Sequence, residues 1–211
     1  MQAGREWPTD IPFFHWRTLV LPLRLLFLTL LFGFSGLSLG AESVLVSVGQ
    51  AGEAFIVDAF IEAPVSLRTA WEVLVDFDHM AAILSNLTSS KVIARDGTTL
   101  IVRQEGVARY GLLSYAFHSE REIRLEPMRR ILAKNLSGTA RRMESEARLN
   151  PAERGHGTQI TYRAEIVPDS PLARIFGAPL VRHEIEEQFQ LMLVEMKRRE
   201  ASPVATAPPR N

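Results

Sequence analysis

The sequence predicts an α+β domain in which a curved antiparallel sheet of about seven strands surrounds a long C-terminal helix. Residues 55–62 have the period of a strand, with apolar side chains on one face and a mixture of apolar and acidic side chains on the other. From residue 87 onward, short β-branched runs alternate with turn signals. The last apolar stripe, over residues 179–200, repeats with the period of a helix. Sequential hairpins leave one face of a sheet to bury, and the helix can cover that face.

The first strand of the domain is followed by two short helices. The strand over residues 55–62 ends before Pro64. Ser66 is the expected N-cap of the first helix, because its hydroxyl can accept a hydrogen bond from a free backbone N–H. Asp78 is placed to cap the second helix in the same way.

Six further strands follow, connected by turns. The pair Asp96-Gly97 between β-branched runs is a strong hairpin signal. The last helix is expected to run from about Pro179 to Glu200, since proline suits the first turn of a helix. The other expected turns lie at Gly111, Pro127, Gly138 and residues 153–157.

The composition excludes several classes of protein. The 211 residues are 46% hydrophobic and 23% charged, which is enough apolar material for the core of one domain. The formal net charge is zero, so no basic field favours a nucleic-acid partner. Cysteine is absent, which excludes disulfides, thiol catalysis and cysteine metal ligands. We expect no metal and no cofactor, because neither a metal-binding histidine motif nor a phosphate-binding glycine loop is present.

The first 40 residues have the three-part pattern of a secretory signal peptide. Arg17 and Arg24 precede an uncharged apolar run over residues 25–39, and cleavage is expected after Gly40 or Ala41. This run is shorter than the roughly 20 residues of a membrane-spanning helix. The sequence therefore predicts export, to the periplasm, and the alternative is an uncleaved segment that anchors the protein in the inner membrane.

The rest of the chain divides into a lead-in, one domain and a tail. Residues 41–52 form the lead-in, and residues 53–200 form the domain. Residues 201–211 are expected to be disordered, because they contain three prolines and no apolar periodicity.

A strand that ends in proline, a helix and an Asp-Phe segment follow one another between Ile61 and Met80. The residues concerned are Ile61-Glu62-Ala63-Pro64, Trp71-Glu72-Val73-Leu74-Val75-Asp76-Phe77-Asp78-His79-Met80 and Ile83-Leu84-Ser85-Asn86-Leu87-Thr88-Ser89-Ser90-Lys91-Val92. With the C-terminal helix, this succession resembles the START-like superfamily (SRPBCC, helix-grip) over about residues 53–198. Within it, the coenzyme Q-binding branch of the polyketide cyclase/dehydrase and lipid transport group is most similar. The resemblance implies a helix-grip fold.

The resemblance also implies an apolar cavity between the sheet and the last helix. Its ligand would be a hydrophobic small molecule, such as a lipid, a quinone or a polyketide-like compound, and the protein would be a carrier or sensor. Either the helix over residues 179–200 or the segment 76–90 would act as the gate. The alternative is that the same aromatic and methionine side chains only fill a core. The candidate lining residues are Phe60, Tyr115, Phe117, Arg121, Met143, Tyr162, Phe189, Met192 and Met196.

Arg121 interrupts the apolar face of the strand over residues 112–125. Inside the cavity, its charge would hold a ligand carboxylate or polar head group. The alternatives are a bulge that turns the side chain to solvent and a buried ion pair with Glu105 or Glu144. If the protein is instead a cyclase/dehydrase-type enzyme, Arg121 with Glu105, or His79, would be the groups to test.

Two surface patterns suggest other partners. Arg129-Arg130 and Arg141-Arg142 flank one hairpin, where they would contact anionic lipid head groups or form an ordinary solvated edge. A protein-interaction domain with a filled core is the remaining alternative, and the sequence leaves the oligomeric state open. Its dimer face would consist of apolar residues opposite the main stripe of the last helix, namely Leu180, Leu191 and Val194.

Overall fold

The computed structural model describes residues 43–152, 157–169 and 171–202. The predicted signal segment, nearly all of the predicted tail and most of the loop expected at 153–157 lie outside the described residues. Within the described part of the chain, no helix has both the length and the apolar character needed to cross a membrane.

Eight strands and a long C-terminal helix make up the domain. The described strands form one antiparallel sheet in the order β1-β2-β8-β7-β6-β5-β4-β3. The last helix packs against β1, β2, β4 and β8. This arrangement confirms the α+β helix-grip fold, with one strand more than the sequence predicted. The elements are β1 (Ser43–Ala51), β2 (Ala54–Ala63), α1 (Leu67–Leu74), a 3-10 turn (Phe77–His79), α2 (Met80–Ile83), β3 (Leu87–Asp96), β4 (Thr99–Tyr110), β5 (Leu113–Glu126), β6 (Arg130–Gly138), β7 (Ala140–Pro151), β8 (Thr158–Pro168) and α3 (Pro171–Ala201).

β1 is the additional strand, and it lies in the segment that was expected to be a lead-in. It pairs with β2 over its full length. Val44, Val46 and Val48 pack on the core, whereas Leu45 on the opposite face is 63% exposed. The alternation was hard to recognise, because an apolar residue stands on both faces and Gly49 weakens the strand pattern.

The short helices are fixed by side-chain hydrogen bonds at their ends. Ser66 caps α1 as predicted, and its Oγ accepts a hydrogen bond from the backbone N–H of Thr69 at 3.2 Å. The backbone N–H of Ser66 donates to Glu200 of α3 at 3.1 Å. Asp78 was expected to cap the second short helix, but it does not. It lies in the 3-10 turn, and its carboxylate accepts a hydrogen bond from the N–H of Val92 at 2.8 Å.

α3 begins at Pro171, well before the start that was predicted at Pro179. The prediction relied on the usual place of proline in the first turn of a helix, because a proline further inside removes one backbone hydrogen bond. That rule does not hold for this helix. Here Pro179 lies within the helix. The early part of α3 packs closely on β2, since a Cβ on Gly177 would lie 2.3 Å from the ring of the buried Phe55.

The hydrophobic core lies between the inner face of the sheet and the predicted apolar stripe of α3. On each strand, every second residue faces inward, as the pleat of a strand requires. The most deeply buried side chains of the sheet include Val57, Ile61, Leu100, Val102, Ile123 and Ile160. The buried side chains of the helix stripe are Ile185, Phe189, Met192, Leu193 and Met196.

Candidate functional site

A cavity of about 340 Å³ lies between the inner face of the sheet, α3 and the short helices that connect β2 to β3. This volume falls within the range of about 300–1,000 Å³ that is typical of small-molecule sites. The wall is mostly apolar. Side chains therefore do not fill the interior completely. The alternative of a protein-interaction domain had required a filled core.

All but two of the residues proposed from the sequence lie on the cavity wall. Phe60 does not, because it shares the outer face of β2 with Asp58, whereas Ala59 and Ile61 are buried on the inner face. Met196 is 1% exposed and belongs to the solid part of the core. The residues that the structure does bring to the wall are Tyr115, Phe117, Arg121, Met143, Tyr162, Phe189 and Met192.

β5 contributes a continuous strip of this wall, and Arg121 lies within it. A bulge is present at this point, since Glu120 pairs with Ser137 but Arg121 pairs with Asn135. The extra residue is Leu136 of β6, which is 51% exposed. Arg121 therefore keeps its inward direction, and the bulge does not turn it to solvent. In order along β5, the residues of the strip are Tyr115, Phe117, Ser119, Arg121 and Ile123.

The guanidinium of Arg121 is held by a hydrogen bond rather than by an ion pair. Its Nη2 donates to Oε1 of Gln104. Its Nε is buried and has no hydrogen-bond partner among the described residues. Glu105 and Glu144, the expected ion-pair partners, are exposed. Burial lowers the pKa of Arg121, because the charged form loses its water, and the phenol of Tyr162 opposes this shift.

Gln104 belongs to a chain of hydrogen bonds that fixes the direction of Arg121. Its Nε2 donates to Ser90 Oγ at 3.0 Å, and Ser90 Oγ donates to the carbonyl oxygen of Phe77 at 2.5 Å. Gln104 and Ser90 are both buried. Because the amide nitrogen of Gln104 is used in this way, its oxygen faces the guanidinium. The chain thus runs from the cavity wall to the 3-10 turn.

Tyr162 places a phenol in the same cavity. Its ring lies 5.3 Å from the ring of Phe189 at an angle of 66°, which is an edge-to-face contact between β8 and α3. Burial raises the pKa of Tyr162, while a hydrogen bond with Ser145 and the charge of Arg121 act in the opposite direction. The phenol is therefore neutral at pH 7 and retains its proton for donation.

Glu184 of α3 is the second fully charged side chain on the described part of the wall. One carboxylate oxygen accepts a hydrogen bond from Asn86 Nδ2 at 2.5 Å, and the other accepts from the backbone N–H of Arg109 at 2.9 Å. Next to this pair, Ser85 Oγ donates to Glu187 at 2.6 Å. These contacts connect α3 to the segment before β3 and to the end of β4.

Sequence reasoning missed the polar residues around Arg121 and Glu184. Gln104 had a signal, since it stands among the inward-facing residues of β4 between Val102 and Gly106. Asn86 and Glu184 had none, because they are 98 positions apart in the chain. A separation of this size becomes a contact only through the fold.

The residues proposed for catalysis do not meet in the cavity. The side chain of His79 is 76% exposed and contacts Asp76 at 2.7 Å, outside the cavity wall. Glu105 is exposed on β4. Of the groups named for an enzyme, only Arg121 lies at the cavity.

The structure shows the surroundings of the two surface patterns. Arg130 pairs with Glu126 and Glu146, Arg141 pairs with Glu53, and Arg142 pairs with Glu165, so three of the four bases form surface ion pairs.

The three apolar residues of the proposed dimer face do not form one exposed patch. Leu180 lines the cavity, Leu191 packs against the core and Val194 is 58% exposed.

Comparisons with known proteins agree with this architecture. A model of the family described as "Polyketide cyclase / dehydrase and lipid transport" matches residues 54–199, which excludes β1. The comparison with curated proteins found no match.

Solved structures share the fold at low sequence identity. A STAR-related lipid transfer protein from Xanthomonas axonopodis aligns with a TM-score of 0.63 and 11% identity, covering 74% of this chain and 95% of that chain. A protein from Thermus thermophilus aligns with a TM-score of 0.62 and 18% identity, covering 69% and 99%. The Zhui aromatase/cyclase from Streptomyces sp. R1128 aligns with a TM-score of 0.58 and 16% identity, covering 69% and 95%.

Proposed function

The chain belongs to the polyketide cyclase / dehydrase and lipid transport family, and we propose that its domain binds one hydrophobic small molecule in the cavity as a carrier or sensor. The observation that supports this proposal is the mostly apolar cavity of about 340 Å³ between the sheet and α3. Transfer of an apolar ligand from water into this space gains roughly 25 cal/mol per Å² of buried surface, before ordering costs are subtracted. A lipid, a quinone or a polyketide-like compound has suitable chemistry.

We favour a carrier over an enzyme, because the groups proposed for catalysis do not form an acid–base pair at the cavity, where the phenol of Tyr162 is the available proton donor among the groups discussed above. General acid–base catalysis needs a proton donor or acceptor within hydrogen-bond reach of the substrate. The carboxylate of Glu184 already accepts hydrogen bonds through both oxygens, and Arg121 is a poor base. His79 and Glu105, the other groups considered, lie away from the cavity wall.

Two connected elements are suited to act as the gate. The segment before β3 and helix α3 meet through the contacts of Ser85 with Glu187 and of Asn86 with Glu184. Opening at this point would break charge-assisted hydrogen bonds, including the one that Glu184 accepts from the backbone N–H of Arg109 in β4. With the export predicted from the first 40 residues, the proposed place of action is the periplasm or the surface of its inner membrane.

Blocking the cavity tests the proposal. Ala133 is a half-buried residue of β6 on the cavity wall, and Ala133→Phe would fill part of the space. Ala116 lies exposed on the opposite face of β5, so Ala116→Phe is a matched control. The probe is uncharged N-phenyl-1-naphthylamine, and its binding is measured by fluorescence titration.

We expect the wild-type protein and Ala116→Phe to bind the probe equally, and Ala133→Phe to bind it at least tenfold more weakly. Circular dichroism establishes that each variant is folded. An equal affinity of folded Ala133→Phe would place the binding elsewhere, and an absence of binding to the wild-type protein would contradict the proposal directly.

A further inference from the structure

We infer that the ligand is an anion, namely a hydrophobic molecule with a carboxylate or similar acidic head group that binds the guanidinium of Arg121 beside the phenol of Tyr162. The inference rests on the proposed function and specifies its ligand class. It is argued from the charges of the cavity, from the hydrogen bonds of Arg121 and from the place of Glu184.

The charge of Arg121 is not neutralised within the described part of the protein. No ion pair joins it to a carboxylate there, and the ionisable group that acts on it is the phenol of Tyr162, which is neutral at pH 7. The other arginines of β5 differ in this respect. Arg124, for example, forms an ion pair with Glu122 at 2.8 Å.

Glu184 is badly placed to neutralise Arg121. Its carboxylate bonds to the N–H of Arg109, which pairs with Ser114 of β5. Along β5, the backbone distance from Ser114 to Arg121 is about 23 Å at roughly 3.3 Å per residue. Both oxygens of Glu184 also have donors already.

The guanidinium still has unused donors. An arginine carries five N–H groups, and the described residues supply one acceptor, Oε1 of Gln104. The Nε is buried without any described partner, although the side chain lies on the cavity wall. A buried N–H of this kind is costly unless an acceptor reaches it.

A carboxylate satisfies these requirements better than a neutral head group. It can accept two parallel hydrogen bonds from a guanidinium, and it cancels the buried charge at the same time. A hydroxyl or ester would accept hydrogen bonds but leave the charge in place. A cationic head group would be repelled. Because the chain from Gln104 to Ser90 holds Arg121 in one direction, little ordering is needed when the ligand arrives.

The experiment compares an acid with its neutral ester. The probes are 11-(dansylamino)undecanoic acid and its methyl ester, titrated against the full domain at pH 8, where the acid is ionised. The wild-type protein should bind the acid at least tenfold more tightly than the ester. Arg121→Met should lose at least tenfold in affinity for the acid and change less than threefold for the ester. Arg121→Lys, which keeps the charge, should retain part of the preference.

Arg124→Met is the matched control, because it removes an exposed arginine from the same strand. It should behave as the wild-type protein does. If the wild-type protein binds both probes with equal affinity, the inference is overturned while the proposed function stands. If it binds neither probe, the proposed function itself fails. The wild-type preference is decisive even if Arg121→Met does not fold, and Arg121→Lys then reports on the side chain.

Discussion

The Arg121 guanidinium is a cost to the folded protein in the absence of a ligand. Removal of one ion from water costs several kcal/mol in a protein interior, and no described carboxylate compensates for it. Groups that serve binding often lower stability in this way. The side chain is therefore better explained by what the cavity holds than by what the fold needs.

Replacement of the polar pair by apolar residues should stabilise the unliganded protein. In the double variant Arg121→Met/Gln104→Leu, no side chain is left without a partner, because Ser90 still donates to a backbone carbonyl. We expect the free energy of unfolding to rise by about 1–2 kcal/mol in urea denaturation. The neighbouring truncation Ile123→Ala should lower it by about 2–4 kcal/mol. A loss of similar size in the double variant would show that Arg121 and Gln104 are structural.

The sequence was sufficient for some of these residues and not for others. A charge in the middle of an apolar alternation made Arg121 a candidate for the cavity, because the period of a strand is fixed at two. The same rule places Phe60 on the outer face, where aromatic character alone had suggested the cavity. The contact of Ser90 with Gln104 could not be predicted, since β3 pairs with β4 through two register shifts that no local pattern reveals.

Apart from β1, which was expected to be a lead-in, the existence of a helix or strand was easier to predict than its limits. The short-range signals at Ser66 and Asp96-Gly97 were correct, because capping and tight turns depend on a few neighbouring residues. The start of α3 was not, since Pro179 lies inside the helix and the residues before it pack on β2 through Gly177 and Phe55. Tertiary contacts of this kind do not appear in a local pattern.

The C-terminal end of α3 is joined to the short helices by charged groups. Glu195 accepts hydrogen bonds from Arg198 and Arg199, and Arg199 also donates to Asp76 at 2.6 Å. Hydrogen bonds from Arg198, and then from Arg199, lower the pKa of Glu195 to about 2 despite its partial burial. The Glu195 side chain is 16% exposed, so this cluster is only partly screened by solvent.

Stability should therefore fall in acid, and Glu195 should contribute to the loss. Above pH 4.5 the carboxylate is ionised in both the folded and unfolded states, and its contribution is present in full. Between pH 4.5 and about 2 the unfolded chain binds the proton first, so the contribution disappears. Relative to the wild-type protein, Glu195→Gln should lose about 1–2 kcal/mol at pH 7 and less than about half of that at pH 3. Urea unfolding at both pH values measures the difference, and an equal loss at both would contradict the assignment.

At the scale of the whole molecule, the sheet, the helix and the short connecting helices together define a space that none of them defines alone. The fold class was predictable, since binary patterning and turn chemistry agree along the chain. The cavity was not predictable from the residues themselves, because the same aromatic and methionine side chains can fill a core or line a pocket. Its volume depends on how closely α3 approaches the sheet.

The most direct test of ligand binding is native mass spectrometry of the domain purified gently from its own host, followed by organic extraction. We predict a co-purifying hydrophobic compound of defined mass, acidic in character, that is absent from Ala133→Phe. A clean unliganded mass in repeated preparations would contradict the account of this domain as a carrier.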